Sequence, residues 1–176
     1  MFSKKKICFI FIVSFLYLCP VYAEDAKKSL KGVYSIGLNG SYSSSKMLGT
    51  NSHNIVIGGE ITNFFTRNVE LGCQVFHMNS WSRNHDVMFH HLNFISNYNY
   101  YLNNVNIPYL GLSCGLTMIE LFADEINTDT SLGFQFGLKN FIHQNVFFKS
   151  EYRFRHTFGD YSQDDSSLLF GINLLY

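Results

Sequence analysis

Residues 109–118, with the sequence YLGLSCGLTM, decide the fold, because apolar residues occupy every second position from Leu110 to Met118. A two-residue period is typical of a β-strand with one apolar and one polar face. Seven other segments show the same alternation, and polar stretches separate them. The apolar sets of the eight segments span residues 34–42, 55–61, 69–75, 92–100, 110–118, 132–138, 146–154 and 168–176. The sequence therefore predicts eight antiparallel strands.

Charged residues fall on only one side of these segments. No Asp, Glu, Lys or Arg occupies an apolar side, and the opposite side carries a set of six charges. These six residues are Glu60, Glu70, Lys149, Glu151, Arg153 and Arg155. Because a charge facing lipid at the bilayer midplane costs about 2–4 kcal/mol, this exclusion predicts an apolar wall in lipid and a charged lumen. A soluble lipocalin-like barrel needs the reverse arrangement, and such barrels usually have a Gly-x-Trp start, which is missing here.

The connections between segments are of two kinds. Those at 63–68, 103–106 and 140–145 are short and bounded by Asn, as tight turns are. Those at 43–52, 79–86, 123–130 and 159–166 are longer and more polar, which predicts short periplasmic turns and long external loops. A first turn centred on Phe65 pairs Ile61 with Val69, and the last short turn pairs Leu138 with Val146.

The first 23 residues differ in kind from the rest. Three lysines at positions 4–6 precede a short apolar run, and Val21-Tyr22-Ala23 provides small residues for cleavage. This pattern predicts a secretory signal peptide over residues 1–23, since the run is too short for a membrane-spanning helix. A periplasmic segment over 24–31 and a barrel domain over 32–176 then follow.

Composition agrees with this interpretation. The chain has 18 Phe, 11 Tyr and 2 Pro, which favours strands. Without the three signal lysines, the 13 basic residues fall to 10, against 13 acidic residues. A mildly acidic protein offers no surface for nucleic acid.

The predicted lumen charges suggest a salt-bridge network. In the predicted register Glu60 and Glu70 face each other, where two unneutralised carboxylates would repel, so the inward Lys149, Arg153 and Arg155 are their expected partners. An acid/base pair or a narrow channel is the functional alternative. Because side chains mostly fill an eight-stranded barrel, a structural plug is favoured.

The sequence resembles the small outer-membrane barrels of the OmpA-like transmembrane-domain type. The stretches 108–116, 151–155 and 169–176 carry this resemblance, which covers the whole chain after the signal. It implies an all-β, up-and-down transmembrane barrel in the bacterial outer membrane, surrounded by outer-membrane lipid. In that family the assembly machinery reads a terminal aromatic residue preceded by alternating apolar residues. The matching residues here are Phe170, Ile172, Leu174 and Tyr176.

His156 raises the question of an enzyme. Lipid A deacylases, which are also eight-stranded barrels, carry a His-x-Ser-Asn motif in which the histidine activates the serine. Here Phe158 stands in place of the nucleophile, and the adjacent Thr157 projects to the other face of a strand. We therefore predict no catalytic residue.

No metal or cofactor site is predicted. His90 and His91 are adjacent in the fourth strand and point to opposite faces, so they cannot share one metal. Cys73 and Cys114 lie on the lipid side of strands that are not neighbours, which argues against a disulfide. Trp81, beside Arg83 in a predicted external loop, is interpreted as an aromatic residue of the membrane interface.

The resulting hypothesis is a non-enzymatic barrel whose external loops act as a surface antigen, an adhesin or an envelope-stabilising element. Loop residues around 43–46 and 160–165 would contact any external ligand or host factor. A lipid A deacylase and a narrow channel are the alternatives.

Overall fold

The computed structural model describes residues 30–47, 50–82, 86–102, 105–121, 125–159 and 162–176. The predicted signal peptide over 1–23 and most of the segment over 24–31 lie outside these residues. Eight strands are present: β1 Tyr34–Met47, β2 Thr50–Phe64, β3 Val69–Ser82, β4 Asp86–Asn99, β5 Asn106–Leu121, β6 Glu125–His143, β7 Val146–Phe158 and β8 Gln163–Leu175. Each strand pairs antiparallel with its neighbours in sequence, and β8 pairs with β1. The predicted closed barrel is confirmed.

The two faces of the strands are also as predicted. On β5, for example, Leu112 is 68% exposed on the outer wall, while the next residue, Ser113, is 6% exposed and points inward. The alternation extends through the fourth segment, where Phe94 is exposed and Asn93 is buried. No described helix is long and apolar enough to cross a bilayer.

The predicted registers of two hairpins are wrong. Ile61 pairs with Cys73 rather than with Val69, and Leu138 pairs with Ser150 rather than with Val146. In both hairpins the true partner lies four residues further along the chain. An even shift keeps the apolar residues on the outer face, so the alternation alone cannot distinguish these registers.

The connections predicted as external loops are shorter than expected. Following that prediction, we call their end of the barrel extracellular and the opposite end periplasmic. Strand pairing continues to Met47 and Thr50 in the first hairpin, and Trp81 pairs with Asp86 in the second. The third pairs Leu121 with Glu125. Polar residues at these positions do not prevent backbone pairing once the barrel has set the register. The predicted long loops are therefore mostly extensions of the strands, and Trp81 belongs to β3.

Small and large residues complement each other inside the barrel. Gly37 lies opposite Asn173, and Gly137 lies opposite Tyr109. A Cβ atom on Gly37 would lie 1.3 Å from Asn173 Oδ1, and one on Gly137 would lie 2.8 Å from the Tyr109 hydroxyl. Glycine thus makes the room that the larger lumen side chains occupy.

The seam between β1 and β8 is the shortest ladder of the barrel. It contains six residue pairs, from Ser35 with Leu175 to Gly40 with Phe170. Backbone hydrogen bonds between Tyr34 and Tyr176, at 3.0 and 2.9 Å, extend it at the periplasmic end. The first and last strands are therefore joined in their periplasmic halves.

Candidate functional site

An apolar layer closes the periplasmic end of the lumen. Its buried members are Phe64, Ile107, Phe141, Phe147 and Leu175. Partly buried side chains of Leu30, Val33 and Tyr101 pack against this layer. The layer separates the polar lumen above it from the periplasmic turns, so it acts as a plug.

Glu60 is the centre of one buried charge group above the plug. Lys149 Nζ donates to both of its carboxylate oxygens, at 2.7 and 2.5 Å. Gln74 Nε2 and Asn173 Nδ2 donate to it at 2.6 and 3.0 Å. Four hydrogen bonds therefore satisfy a carboxylate that is almost entirely removed from solvent.

Glu151 continues this group on β7. It forms ion pairs with Lys149, at 3.2 Å, and with Arg153. The Tyr109 hydroxyl donates to its second oxygen at 2.6 Å, and Arg153 also donates to Gln74 Oε1 at 2.8 Å. Strands β2, β3, β5 and β7 are thus linked across the lumen.

Glu70 forms a second group with a lysine that the sequence analysis did not identify. Lys139 pairs with Glu70 and donates to Asn99 Oδ1 at 2.8 Å. Thr62 Oγ1 and Asn97 Nδ2 donate to Glu70 at 2.6 and 3.0 Å. The expected contact of Glu60 with Glu70 is wrong, because the shifted register places Glu60 opposite Gln74 and Glu70 opposite Phe64.

Lys139 and Lys149 lie directly opposite each other on β6 and β7. Two like charges in this position repel unless each has its own counter-ion. Each lysine has a separate carboxylate, and the Tyr109 ring lies 4.9 Å from Lys139 Nζ and 5.9 Å from Lys149 Nζ. The two groups therefore form one balanced network around Tyr109.

Arg155 forms a third group nearer the extracellular end. Its guanidinium pairs with Asp165 at 2.8 Å and donates to His91 Nε2 at 3.0 Å. A guanidinium only donates, so His91 accepts through Nε2 and donates through Nδ1 to Thr117 Oγ1, at 2.9 Å. His91 is the second lumen residue that the sequence analysis did not place in the network. Its inward parity on β4 is the signal that identifies it.

On the outer wall, the His156 side chain contacts two neighbouring side chains. Asp164 Oδ1 lies 2.6 Å from its Nδ1, and the ring of Phe158 packs edge-on against the imidazole with 4.3 Å between centroids. Thr157 is buried on the inner face, as its position predicts. In the part of the chain that the structure describes, no hydroxyl forms a hydrogen bond with His156.

Cys73 and Cys114 are both free and face outward. Each pairs with Phe94 of β4, one on either side, so the ring stands between the two thiols. Among the residues that the structure describes, no three His, Cys, Asp or Glu side chains are grouped closely enough to hold a metal ion.

A separate polar cluster, outside the lumen, lies at the periplasmic rim. Tyr101 donates from its hydroxyl to the Arg67 carbonyl at 2.6 Å, and the Arg67 guanidinium lies 4.9 Å above its ring. Burial raises the pKa of the Tyr101 phenol to about 12. A surface cavity of about 290 Å³ borders these two residues and Tyr98. The cluster holds the β4–β5 connection against the β2–β3 turn.

The terminal strand carries the four residues of the predicted assembly signal on the outer wall. Phe170, Ile172, Leu174 and Tyr176 are exposed, and Tyr176 is 71% exposed. Their side chains point away from the lumen network, and the backbone of the strand pairs with β1 to close the barrel.

No family model matches the chain, and no curated protein matches its sequence. Several solved structures do match it. Neisserial surface protein A has 14% identity and a TM-score of 0.65, over 83% of this chain and 98% of that one. The N-terminal barrel domain of Pseudomonas aeruginosa OprF has 16% identity and a TM-score of 0.59, over 85% and 100%. Ail of Yersinia pestis has 16% identity and a TM-score of 0.52, over 83% and 99%. The fold of this chain is that of the small eight-stranded outer-membrane β-barrels.

Proposed function

We propose that the chain is a non-conducting protein of the bacterial outer membrane that acts at the cell surface through its extracellular hairpins. Surface antigen, adhesin and envelope-stabilising element are the roles that this arrangement suits. The observation that carries the proposal is the lumen, in which a paired charge network lies above an apolar plug. A filled lumen leaves the hairpins and the outer wall as the surfaces available for function.

The exposed apolar wall supports the location. Leu38, Leu110 and Leu112 are 61–74% exposed at outward positions of β1 and β5. A continuous apolar surface of this kind is stable only against lipid or another apolar surface. In the outer membrane the wall meets acyl chains, and the hairpins project outside the cell.

The charge of the hairpins indicates the kind of partner. The four extracellular segments, taken as 43–52, 79–86, 123–130 and 159–166, contain seven acidic and two basic residues. Five acidic residues remain without Asp165, which pairs with Arg155, and Asp129, which is buried. Ail of Yersinia pestis has been crystallised with the heparin analogue sucrose octasulfate, an anionic ligand. An acidic rim disfavours such a ligand here, and we propose a partner with a basic surface.

Two measurements test the proposal. Purified protein in planar bilayers is expected to show no steady conductance, and a reproducible open channel would contradict it. Bacteria that display the wild type should adhere to polylysine-coated surfaces more than bacteria that display a variant with Asp124→Asn, Glu125→Gln and Asp160→Asn. Lys46→Gln is the matched control, and its adhesion should not fall. Equal adhesion of all three would reject the basic partner.

The conductance measurement also tests the narrow-channel alternative. Asn39 and Asn93 favour it, because their buried side-chain amides have no hydrogen-bond partner among the described residues. Buried amides of this kind are usually hydrated. The apolar plug below them argues for water that is retained in the upper lumen rather than a continuous path.

A lipid A deacylase is the second candidate, and one observation favours it. Asp164 lies where a carboxylate orients a catalytic histidine, 2.6 Å from His156. Phe158 opposes this candidate, because it stands at the motif position of the nucleophile and its ring, which packs edge-on against the imidazole, carries no hydroxyl. We expect unchanged lipid A masses in cells that produce the wild type. Loss of one acyl chain, abolished by His156→Ala, would establish the enzyme instead.

The C-terminal strand is proposed as the signal for the assembly machinery. Tyr176 is the last of the four residues and is 71% exposed on the outer wall. Tyr176→Ala should reduce the folded fraction in cells, while refolding of the purified variant into detergent remains close to normal. Normal assembly in cells would contradict this role.

The signal peptide is proposed to end after Ala23. The basic start, the short apolar run and the small residues before the cleavage position support this boundary. N-terminal sequencing of protein from the outer-membrane fraction should begin at Glu24.

A further inference from the structure

Two histidines meet on the outer wall near its extracellular edge. His77 of β3 and His90 of β4 are directly opposite each other in the ladder, and both are exposed. Their Nδ1 atoms are 3.4 Å apart, and their ring centroids are 4.8 Å apart. Below His77 the outward residue is the apolar Val75, and above it are Asn79 and Trp81. The pair therefore lies where the apolar band ends.

The spacing of the two nitrogens fits a shared metal ion. At 3.4 Å it is longer than the about 2.7–3.2 Å typical of N–H···O hydrogen bonds. Zinc–nitrogen bonds of about 2.0–2.1 Å at a tetrahedral angle place two ligating nitrogens about 3.3–3.4 Å apart. The imidazoles already have the separation that one tetrahedral ion requires.

A carboxylate stands behind one of the rings. Glu120 of β5 places Oε2 at 3.9 Å from His90 Nε2, the nitrogen that faces away from His77. Metal-binding histidines usually donate their second ring N–H to a carboxylate, which orients the ring and makes it a stronger ligand. The three strands therefore present a carboxylate on β5, a histidine on β4 and, between β4 and β3, a metal position that the two histidines share.

We propose that His77 and His90 bind a divalent transition metal, such as Zn²⁺ or Cu²⁺, at the outer edge of the membrane, with Glu120 as a positioning residue. Imidazole ligands suit both ions. Because two protein ligands leave coordination positions open, water or an external donor completes the shell. The site is an exchangeable one on the cell surface and is separate from the lumen.

Calorimetric titration tests this site. The untagged protein is folded in detergent micelles and titrated with ZnCl₂. Wild type is expected to show one binding event per chain, and His77→Ala and His90→Ala should each abolish it. Both side chains are exposed, so the variants are expected to fold, which heat-dependent electrophoretic mobility checks.

Two further variants separate the site from other metal-binding groups. His53→Ala is the matched control, because His53 lies on the same wall but bonds Tyr42 and stacks on Trp81. It should retain binding, and Glu120→Gln should weaken binding about 10–100-fold. The free thiols of Cys73 and Cys114 are common to all variants.

The electron spin resonance spectrum of Cu²⁺ gives an independent readout. Hyperfine splitting from two nitrogens is expected in the wild type, and this two-nitrogen signal should be absent in His77→Ala and in His90→Ala. Zinc binding equal in wild type and in the His77→Ala, His90→Ala double variant would overturn the proposal. So would loss of binding in His53→Ala, or no binding by the wild type.

Discussion

The lumen of this barrel and its outer wall are built from alternate residues of the same eight strands, yet they tolerate charge in different ways. In the lumen, Glu60, Glu70 and Glu151 are almost fully buried, and each has a cationic partner. On the wall, apolar residues fill the band, and pairs such as His156 with Asp164 occur toward the extracellular ends of the strands. The difference shows that the inner face stabilises the barrel through pairing, and the outer face through the exclusion of charge.

The largest expected effect comes from leaving one lumen charge unpaired. Lys139→Met removes the partner of Glu70 and should cost about 3–5 kcal/mol in the free energy of unfolding, because it leaves a buried carboxylate uncompensated. Urea unfolding in lipid vesicles measures this loss. On the outer wall, Asp164→Asn breaks an exposed pair and should cost less than about 1 kcal/mol. Adding Glu70→Gln to Lys139→Met should recover much of the stability, and its failure to do so would contradict the pairing.

A charge on the wall should have the next largest effect. Leu112→Arg places a guanidinium in the apolar band and should destabilise the inserted barrel by about 2–4 kcal/mol. Phe65→Arg, in the exposed periplasmic turn, is the control and should cost about 0–1 kcal/mol, since the cost falls near the interface. Folding into vesicles, followed by the shift in electrophoretic mobility, compares the two. Equal yields would mean that Leu112 does not face lipid.

Two glycines, one on the inner face and one on the outer face, differ in the space around them. A methyl group on Gly137 would meet the Ser150 carbonyl at 2.2 Å, whereas one on Gly40 meets nothing closer than 3.4 Å. Gly137→Ala should therefore cost about 1–3 kcal/mol through overpacking. Gly40→Ala should be close to neutral in the same urea experiment. A neutral Gly137→Ala would indicate a looser lumen.

The smallest effect concerns the periplasmic rim, outside both faces. Tyr101→Phe loses the hydrogen bond to Arg67 and should cost about 0.5–1.5 kcal/mol at neutral pH. The pKa of Tyr101 is about 12 in the folded protein, against an ordinary value of 10.0. The unfolded chain therefore releases this proton first, so the contribution is complete below pH 10 and is lost as the pH rises through 12. The difference between the urea midpoints of wild type and variant, measured in micelles, should be smaller at pH 11 than at pH 8. An equal difference at the two pH values would contradict this assignment.

The strand faces could be predicted from the sequence because each depends only on local alternation. The register of a hairpin could not, since shifting Ile61 from Val69 to Cys73 leaves every face unchanged. The pairing of Glu70 with Lys139 depends on the staggering of β3 against β6 across the closed barrel. Inward parity identifies Lys139 as a lumen residue, but only closure of the barrel shows which carboxylate it meets.

The same distinction applies to the surface site. His90 and its chain neighbour His91 lie on opposite faces of β4, as their adjacent positions predict. The partner of His90 is His77, a cross-strand residue that lies 13 positions away in the chain. Cross-strand pairing depends on register, so local spacing could not indicate this pair.

Quenching by brominated lipids tests most directly whether the apolar side chains face lipid while the alternate side chains face the lumen. In a Trp81→Phe background, Phe94→Trp on the wall and Phe76→Trp in the lumen each give one emitting tryptophan. Phe94 is 60% exposed and Phe76 is 2% exposed, on neighbouring strands. With lipids brominated at several depths of the acyl chain, strong quenching is expected for Phe94→Trp and almost none for Phe76→Trp. Equal quenching of the two, or stronger quenching of Phe76→Trp, would contradict the account.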